Sequence, residues 1–295
     1  LGRIAGGVIS LAMAYPLASP AVLAADQQAV FAPITPGPTL AYAKTELGDY
    51  RVGIWDDDAY CRVDADTRDL LDHVTTLIRG TGASIDDTTK PVDFAQSDRL
   101  FQQLMYATAS ATATDAAFAA DVAAAEKIPA DDPSGLYLHS RTMRHRDWCV
   151  ADEARQKLRA TWDNYFDHHD ILITPASPSA AVPDQTSTPP PQRYITVDGQ
   201  KRPFYDQTSW LNLTSPVGLP SVVLPAGKTS DGLPLAVQII GPYLADRTVL
   251  AVAVSPDGRT ILVGGKPGAI EVYDVATRSR TTTFDFGIGG VYAIA

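Results

Sequence analysis

The spacing of apolar positions predicts alternating strands and helices through most of the chain. Short apolar runs bounded by turn residues predict strands at 51–55, 171–174, 220–227 and 235–241. The pair Asp231-Gly232 lies between the last two runs and predicts a hairpin turn there. These runs supply the strands of a mixed α/β segment.

Three longer stretches have apolar residues at helical spacing. The first begins at Asp64, a residue type that caps helix N-termini, and has Leu77 and Ile78 on its apolar side. The second covers 94–114 and the third covers 141–168. The apolar residues of the last two stretches are Phe94, Leu100, Leu104, Met105, Met143, Trp148, Leu158, Trp162, Tyr165 and Phe166. We therefore expect helices to flank the strands.

The pattern becomes purely β after about Val254. Strands are predicted at 260–264, 270–273 and 281–286, separated by turns that contain proline and glycine. This order predicts a small antiparallel meander. At the other end of the chain, prolines across 26–43 forbid a helix and predict an extended segment.

An internal repeat links these two ends. The apolar strings that begin at Val249 and Val291 are similar and start 42 residues apart, a period typical of a four-stranded propeller blade. The sequence from 254 to 275 resembles one blade of the WD-repeat family, with Tyr273-Asp274 where that family usually has Trp-Asp. We therefore expect one antiparallel β-propeller-like blade at the C-terminus.

The string 39–43 is similar to the two strings that begin at Val249 and Val291, and it also resembles the opening strand of a blade. Joining Ala43 to Val254 gives an uninterrupted blade start, so we interpret 44–253 as an insertion. The alternative is a coincidence of short alanine and valine strings.

The N-terminus has the features of a signal peptide. Arg3 is followed by a mostly apolar stretch over 4–17, and small residues at 22–24 form an acceptable cleavage site. We expect residues 1–25 to be removed and the chain to be exported, to the periplasm or the extracellular space. A buried alanine-rich helix is the alternative, although Pro16 and Pro20 interrupt it.

The amino-acid composition of the chain argues against several classes of function. The formal net charge of -10 argues against a nucleic-acid partner, which a basic surface would bind. No run of 18 uncharged apolar residues follows position 25, which argues against an integral membrane protein in the mature chain. The two cysteines, Cys61 and Cys149, form no disulfide framework and no thiolate zinc motif, although an isolated disulfide between them stays open.

Residues 44–253 resemble the C-terminal part of the amidase-signature hydrolases. The strongest match is the run 218–227, followed by 231–234 and 237–242. Further matches lie at 50–55, 91–94, 170–175 and 246–250. The resemblance implies an α/β fold with an incomplete amidase-like mixed sheet and flanking helices, and a cytoplasmic location for this segment taken alone. We thus expect four parts: 1–25 signal peptide, 26–43 propeller strand or linker, 44–253 amidase-like segment and 254–295 blade.

The same resemblance implies a chemistry that needs two serines and a lysine, in a Gly/Ser-rich core that precedes the matched segment. A neutral hydroxyl needs such an activating base. The chain contains no Gly-Gly-Ser-Ser, Ser-x-x-Lys or Gly-x-Ser-x-Gly string. The sequence most similar to such a string is Gly-Thr-Gly-Ala-Ser at 80–84. We therefore predict no catalytic residues, no cofactor and an amide hydrolase segment that is inactive by itself. The alternatives are an interrupted exported propeller module and an active amidase whose core is supplied by another chain. The possible missing partners are thus an amidase core or further propeller blades.

Several weaker candidates have more ordinary explanations. His145 and Cys149 have the spacing of metal ligands on a helix, but no third ligand is placed, so no metal site is predicted. The run 168–170, His-His-Asp, is better explained as a positive group facing a helix C-terminus. The aspartates at 56–58 are better explained as a solvated turn than as a cation site.

Two further candidates concern the stretch before the strongest amidase match. Tyr205 and Trp210 are candidates for lining a substrate pocket, with core packing as the alternative, so the substrate-binding residues stay unknown. The string 212–214 matches a glycosylation sequon, which we discount because its residues have a buried pattern.

Overall fold

A computed structural model describes residues 47–189, 192–246, 248–249, 260–266, 269–274 and 279–285, the last three ranges by their backbone. The strands are β1 Arg51–Ile54, β2 Ser84–Asp86, β3 Ile171–Pro175, β4 Tyr194–Val197, β5 Gln200–Pro203, β6 Ser221–Lys228, β7 Pro234–Ile240, β8 Thr260–Lys266, β9 Ala269–Asp274 and β10 Ser279–Asp285. The helices are α1 Ala65–Gly80, α2 Phe94–Ala109, α3 Asp115–Ala125, α4 Leu136–Arg141, α5 His145–Phe166 and α6 Ser209–Asn212.

The central sheet has five strands in the order β2-β1-β3-β7-β6. β1 pairs in parallel with both β2 and β3, whereas β7 is antiparallel to β3 and to β6. Every residue of β3 is buried, as expected for a central strand covered on both faces. The sheet is therefore mixed, with a parallel half and an antiparallel half.

Two buried clusters lie on opposite faces of this sheet, because successive side chains of a strand alternate between faces. On one face, Ile171 and Ile173 of β3 pack with Leu71 of α1. On the other face, Leu172 packs with Trp162 of α5. Helices thus cover both faces, as the amidase resemblance implied.

The strand predictions for this segment are confirmed. β1, β3, β6 and β7 lie where apolar runs predicted them. No end of these strands differs from its predicted position by more than one residue. The hairpin between β6 and β7 turns at Asp231-Gly232, where Gly232 has a φ of 86° that favours glycine.

The helix predictions are confirmed in part. Asp64 caps α1 by accepting a hydrogen bond from the Thr67 amide, as predicted. However, Leu77 is 49% exposed, so its place on the buried side was wrong, whereas Ile78 is buried. The predicted helix 94–114 is shorter, because α2 ends at Ala109 and Thr114 caps the next helix. The stretch 141–168 is divided, because α4 ends at Arg141 and α5 begins at His145.

The β4–β5 hairpin was not predicted. Its turn residues Asp198 and Gly199 have φ angles of 47° and 77°, both in the left-handed region. An Asp-Gly pair is a strong hairpin signal, so the sequence did contain the information.

The C-terminal strands form the predicted antiparallel meander. β9 pairs with both β8 and β10. Three paired strands are compatible with a blade but also with many other β structures, so the finer assignment to a WD-repeat propeller stays a prediction. The proposed signal peptide, the segment 26–43 and the junction around Val254 lie outside the described residues. Among the described helices, none is long and apolar enough to cross a bilayer.

Candidate functional site

The carboxyl ends of β1 and β3 form the edge where a ligand site is expected. The connection after β1 runs through α1 on one face, and the return to β3 ends with α5 on the other face. Ligands of open α/β sheets bind where such connections diverge. The loops after the two strands meet there, since the Asp64 amide donates to the Pro178 carbonyl at 2.8 Å.

An aromatic cluster forms the wall beside this edge. Trp55, which follows β1, lies edge-on to Phe94 of α2 and to Trp210 of α6, with ring centroids 5.4 and 5.6 Å apart. Phe94 and Trp210 are themselves 4.8 Å apart. Trp210 is completely buried, and its indole nitrogen donates to the Cys61 carbonyl at 3.1 Å. Trp210 is therefore a core residue, whereas Tyr205 is 66% exposed.

A buried carboxylate lies next to this wall. Asp98 of α2 is 1% exposed and accepts hydrogen bonds from Tyr60 Oη at 2.8 Å, Gln102 Nε2 at 2.7 Å and Asn212 Nδ2 at 2.8 Å. Burial, followed by the charge of Asp98, raises the pKa of Tyr60. Through these contacts Asp98 joins α2 to Tyr60 in the loop after β1 and to Asn212 at the end of α6.

A second polar group joins the same loop to the segment before α6. Arg202 donates from Nε to Asp206 Oδ2 at 2.9 Å and from NH2 to Cys61 Sγ at 3.4 Å. Burial raises the pKa of the Cys61 thiol, against the opposing effect of Arg202. Burial also raises the pKa of the Asp206 carboxyl. Since the thiolate is the reactive form of cysteine, Cys61 is a poor nucleophile.

This difference in burial predicts selective thiol reactivity. Cys61 is buried and Cys149 is exposed, and neither forms a disulfide. We expect Ellman's reagent to modify Cys149 rapidly in the folded chain and to reach Cys61 only after denaturation. The substitution Cys149→Ser should leave the folded chain unreactive. Rapid modification of that variant without denaturant would show that Cys61 is accessible in the folded chain and would contradict the prediction.

The other candidates from the sequence lie on an exposed helix turn, in a connecting segment or in the core. His145 Nε2 and Cys149 Sγ are 3.6 Å apart on the exposed first turns of α5. Within the described residues, no three His, Cys, Asp or Glu side chains gather as a metal site. Ser84 begins β2 and Gly82, with a φ of 90°, lies in the turn after α1, so the run 80–84 connects two elements. The sequon residues Asn212, Leu213 and Thr214 are all buried.

The aspartates after β1 have structural partners. Asp57 accepts from the Val63 amide at 3.1 Å and from Arg62 at 3.0 Å. Asp58 accepts from the Tyr60 amide and from Lys90 Nζ, both at 2.9 Å. They therefore shape the loop that carries Tyr60 and Cys61.

As far as the structure describes the chain, the site thus consists of hydrogen-bonding groups and aromatic surface. In the part of the chain that the structure describes, no lysine Nζ donates to a serine hydroxyl; Lys90 pairs with Asp58 and Lys157 with Glu153, for example. Sequence reasoning missed Asp98 and Arg202, because the contacts that join them to other elements, with Asn212 and Cys61, span 114 and 141 positions.

Comparison with known proteins identifies the family. The amidase family model matches residues 4–250, most of the chain. The chain belongs to the amidase family. The matched range includes 4–43, whose assignment to a signal peptide and a blade strand stays a prediction.

Curated relatives of this amidase-family chain include glutamyl-tRNA(Gln) amidotransferase subunits. The one from Haloarcula marismortui is 28% identical over 116 residues, which are 39% of this chain and 25% of that protein. The one from Prochlorococcus marinus is 33% identical over 122 residues, which are 40% of this chain and 22% of that protein. The chain thus matches about a quarter of the length of these relatives.

Solved structures give the same fold. A bacterial aryl acylamidase of the amidase signature enzymes superposes with a TM-score of 0.51 at 20% identity, covering 69% of this chain and 42% of that one. The corresponding glutamyl-tRNA(Gln) amidotransferase polypeptide from Thermotoga maritima has a TM-score of 0.53 at 20% identity, covering 72% and 43%. At this identity the likeness establishes the amidase-like α/β fold and no more.

Proposed function

We propose that these 295 residues form the scaffold of an amidase-family hydrolase but lack the two catalytic serines and the catalytic lysine of that family. We further propose that this chain alone does not hydrolyse amides. The observation that carries the proposal is the absence of any Gly-Gly-Ser-Ser or Ser-x-x-Lys string from the sequence. Without an adjacent base, a serine hydroxyl is a weak nucleophile near neutral pH. The packed wall around Trp55 and the Asp98 network support a scaffold role for the matched segment.

In one route to activity, another chain supplies the catalytic core. The chain spans about a quarter of its curated relatives and less than half of the solved structures, so those proteins contain much that has no counterpart in the aligned part of this chain. In this arrangement the present chain positions substrate and the second chain provides the nucleophile and its base.

The test is an amidase assay on the purified chain. We expect release of aryl amine or ammonia from small aryl and aliphatic amides to stay at the rate of buffer, with a complete amidase-family enzyme as the positive control. Turnover that survives repurification and is stopped by a serine-directed acylating reagent would overturn the proposal.

A second candidate function is an exported binding module of the WD-repeat propeller type, interrupted by the amidase-family segment. The observation in its favour is the β8–β10 meander, which lies between the two similar apolar strings that begin 42 residues apart at Val249 and Val291. This candidate takes 1–25 as a signal peptide and places the mature chain outside the cytoplasm. The genomic sequence on both sides separates the candidates: further blades downstream favour the propeller, and a Gly/Ser-rich core upstream favours the hydrolase.

A further inference from the structure

An exposed histidine and an exposed cysteine lie beside each other at the start of α5. His145 is the first residue of this helix and Cys149 follows about one turn later, so both side chains leave the same side of it. Cys149 Sγ is 3.6 Å from His145 Nε2. Both residues are exposed, and Cys149 is a free thiol. The pair is therefore accessible to a ligand that arrives from solvent.

The separation of the two atoms suits two ligands of one tetrahedral metal ion. Zinc binds cysteine sulfur at about 2.3 Å and histidine nitrogen at about 2.0–2.1 Å, and at the tetrahedral angle these bond lengths place sulfur and nitrogen about 3.5–3.6 Å apart. The observed 3.6 Å thus lets both side chains bind one ion where they stand. The Trp148 ring lies nearly parallel to the His145 imidazole, at 9° with the centroids 6.3 Å apart, and restricts the orientation of the imidazole.

One chain supplies only half of such a site, because structural zinc ions take four protein ligands. Within the described residues, no third His, Cys, Asp or Glu side chain joins the pair as a cluster. The acidic residues one turn further along α5 are in ion pairs of their own. Asp152 contacts Arg155 at 2.7 Å. Glu153 contacts Lys157 at 2.8 Å. A complete site therefore needs two ligands from outside the chain.

A second copy of the chain carries the two missing ligands. Two copies related by a two-fold axis present the same patch to each other, and two His145–Cys149 pairs then give two sulfurs and two nitrogens. This set is typical of tetrahedral zinc. Val150, which follows Cys149, is 63% exposed and adds apolar surface that such a dimer covers.

We propose that His145 and Cys149 are a half-site for zinc or a similarly thiol-seeking divalent ion, and that this ion joins two copies of the chain at the start of α5. On binding, each Cys149 thiol releases its proton to solvent and its sulfur donates an electron pair to the ion, so nothing is oxidised or reduced. The site lies on the exposed surface and does not depend on amide hydrolysis.

Titration of the reduced, metal-free full chain with cobalt(II) tests the proposal, because cobalt(II) substitutes for zinc and absorbs light. We expect the near-ultraviolet absorption of a cobalt–thiolate bond to saturate at one ion for two chains. In sedimentation velocity, zinc should double the mass of the sedimenting species, and EDTA should reverse the change. Zinc should also slow the modification of Cys149 by Ellman's reagent about tenfold or more, because the ion occupies the thiolate that attacks the reagent.

Three variants separate this site from other binding. Cys149→Ser should abolish both the cobalt–thiolate absorption and the zinc-dependent dimer, and His145→Gln should weaken binding of the ion about tenfold or more, because each chain then offers one ligand instead of two. His168→Gln is the matched control, since it removes another exposed histidine, just beyond the far end of α5, and should change neither readout.

Three results would overturn the proposal. The first is no cobalt–thiolate absorption from the unchanged chain. The second is absorption that persists in Cys149→Ser, which would assign the thiolate to Cys61. The third is saturation at one ion for each chain with no change in sedimenting mass, which would show that a second copy is not needed.

Discussion

Replacing Trp210 by alanine is expected to destabilise the chain by about 3–5 kcal/mol, the range for truncation of a large buried aromatic side chain. The Trp210 side chain is completely buried and contacts the rings of both Trp55 and Phe94. Its removal leaves a cavity in the wall, and the Cys61 carbonyl also loses the indole hydrogen bond. The free energy of unfolding in urea, compared with that of the unchanged chain, measures the effect.

Tyr205 provides the matched control, because sequence reasoning treated it and Trp210 as equivalent candidates. Its side chain is 66% exposed, so Tyr205→Ala should change the free energy of unfolding by no more than about 0.5 kcal/mol. Equal costs for the two substitutions would show that Trp210 does not pack in the core as described.

Replacing Gly53 by alanine is expected to destabilise the chain by about 1–3 kcal/mol or more, through overpacking. Gly53 lies inside β1, where glycine often marks a close approach by another group. A Cβ at this position would overlap the hydroxyl oxygen of Tyr165 and lie 3.1 Å from Leu172 Cδ1. Urea unfolding again measures the cost.

Tyr165→Phe tests the cause of that cost. The Tyr165 hydroxyl is buried and has no hydrogen-bond partner among the described residues, so its removal alone should be neutral or stabilising. In the Tyr165→Phe background, Gly53→Ala should cost less, although Leu172 still crowds the new methyl group. If the two substitutions are simply additive, the clash with Tyr165 is not the reason.

Local patterns predicted the parts of the fold that depend on local sequence. The apolar run of β3 and the Asp64 cap of α1 were both predicted from a few neighbouring residues. α3 was missed because its alanine-rich sequence has no apolar stripe, and only Ala125 among its residues is buried. A pattern search based on one buried face finds nothing to detect there.

Local sequence patterns could not predict the hydrogen bonds of Asp98 with Asn212 and Tyr60, because these contacts are long-range. Asp98 and Asn212 are 114 positions apart, and Tyr60 is 38 positions from Asp98. Nothing near Asp98 in the sequence distinguishes it from an exposed helical aspartate. The same holds for His169, whose helix-end location was anticipated but whose second partner, Asp86, is 83 positions away.

Covalent labelling decides whether the chain contains an activated serine. The folded chain is incubated with a fluorophosphonate, which phosphonylates serines only where a base has raised their reactivity, and its intact mass is then measured beside a complete amidase-family enzyme. We predict that the enzyme gains one adduct while this chain keeps its original mass. A stoichiometric adduct on a single serine of this chain, lost when that serine is replaced by alanine, would show that these residues form a catalytic site after all.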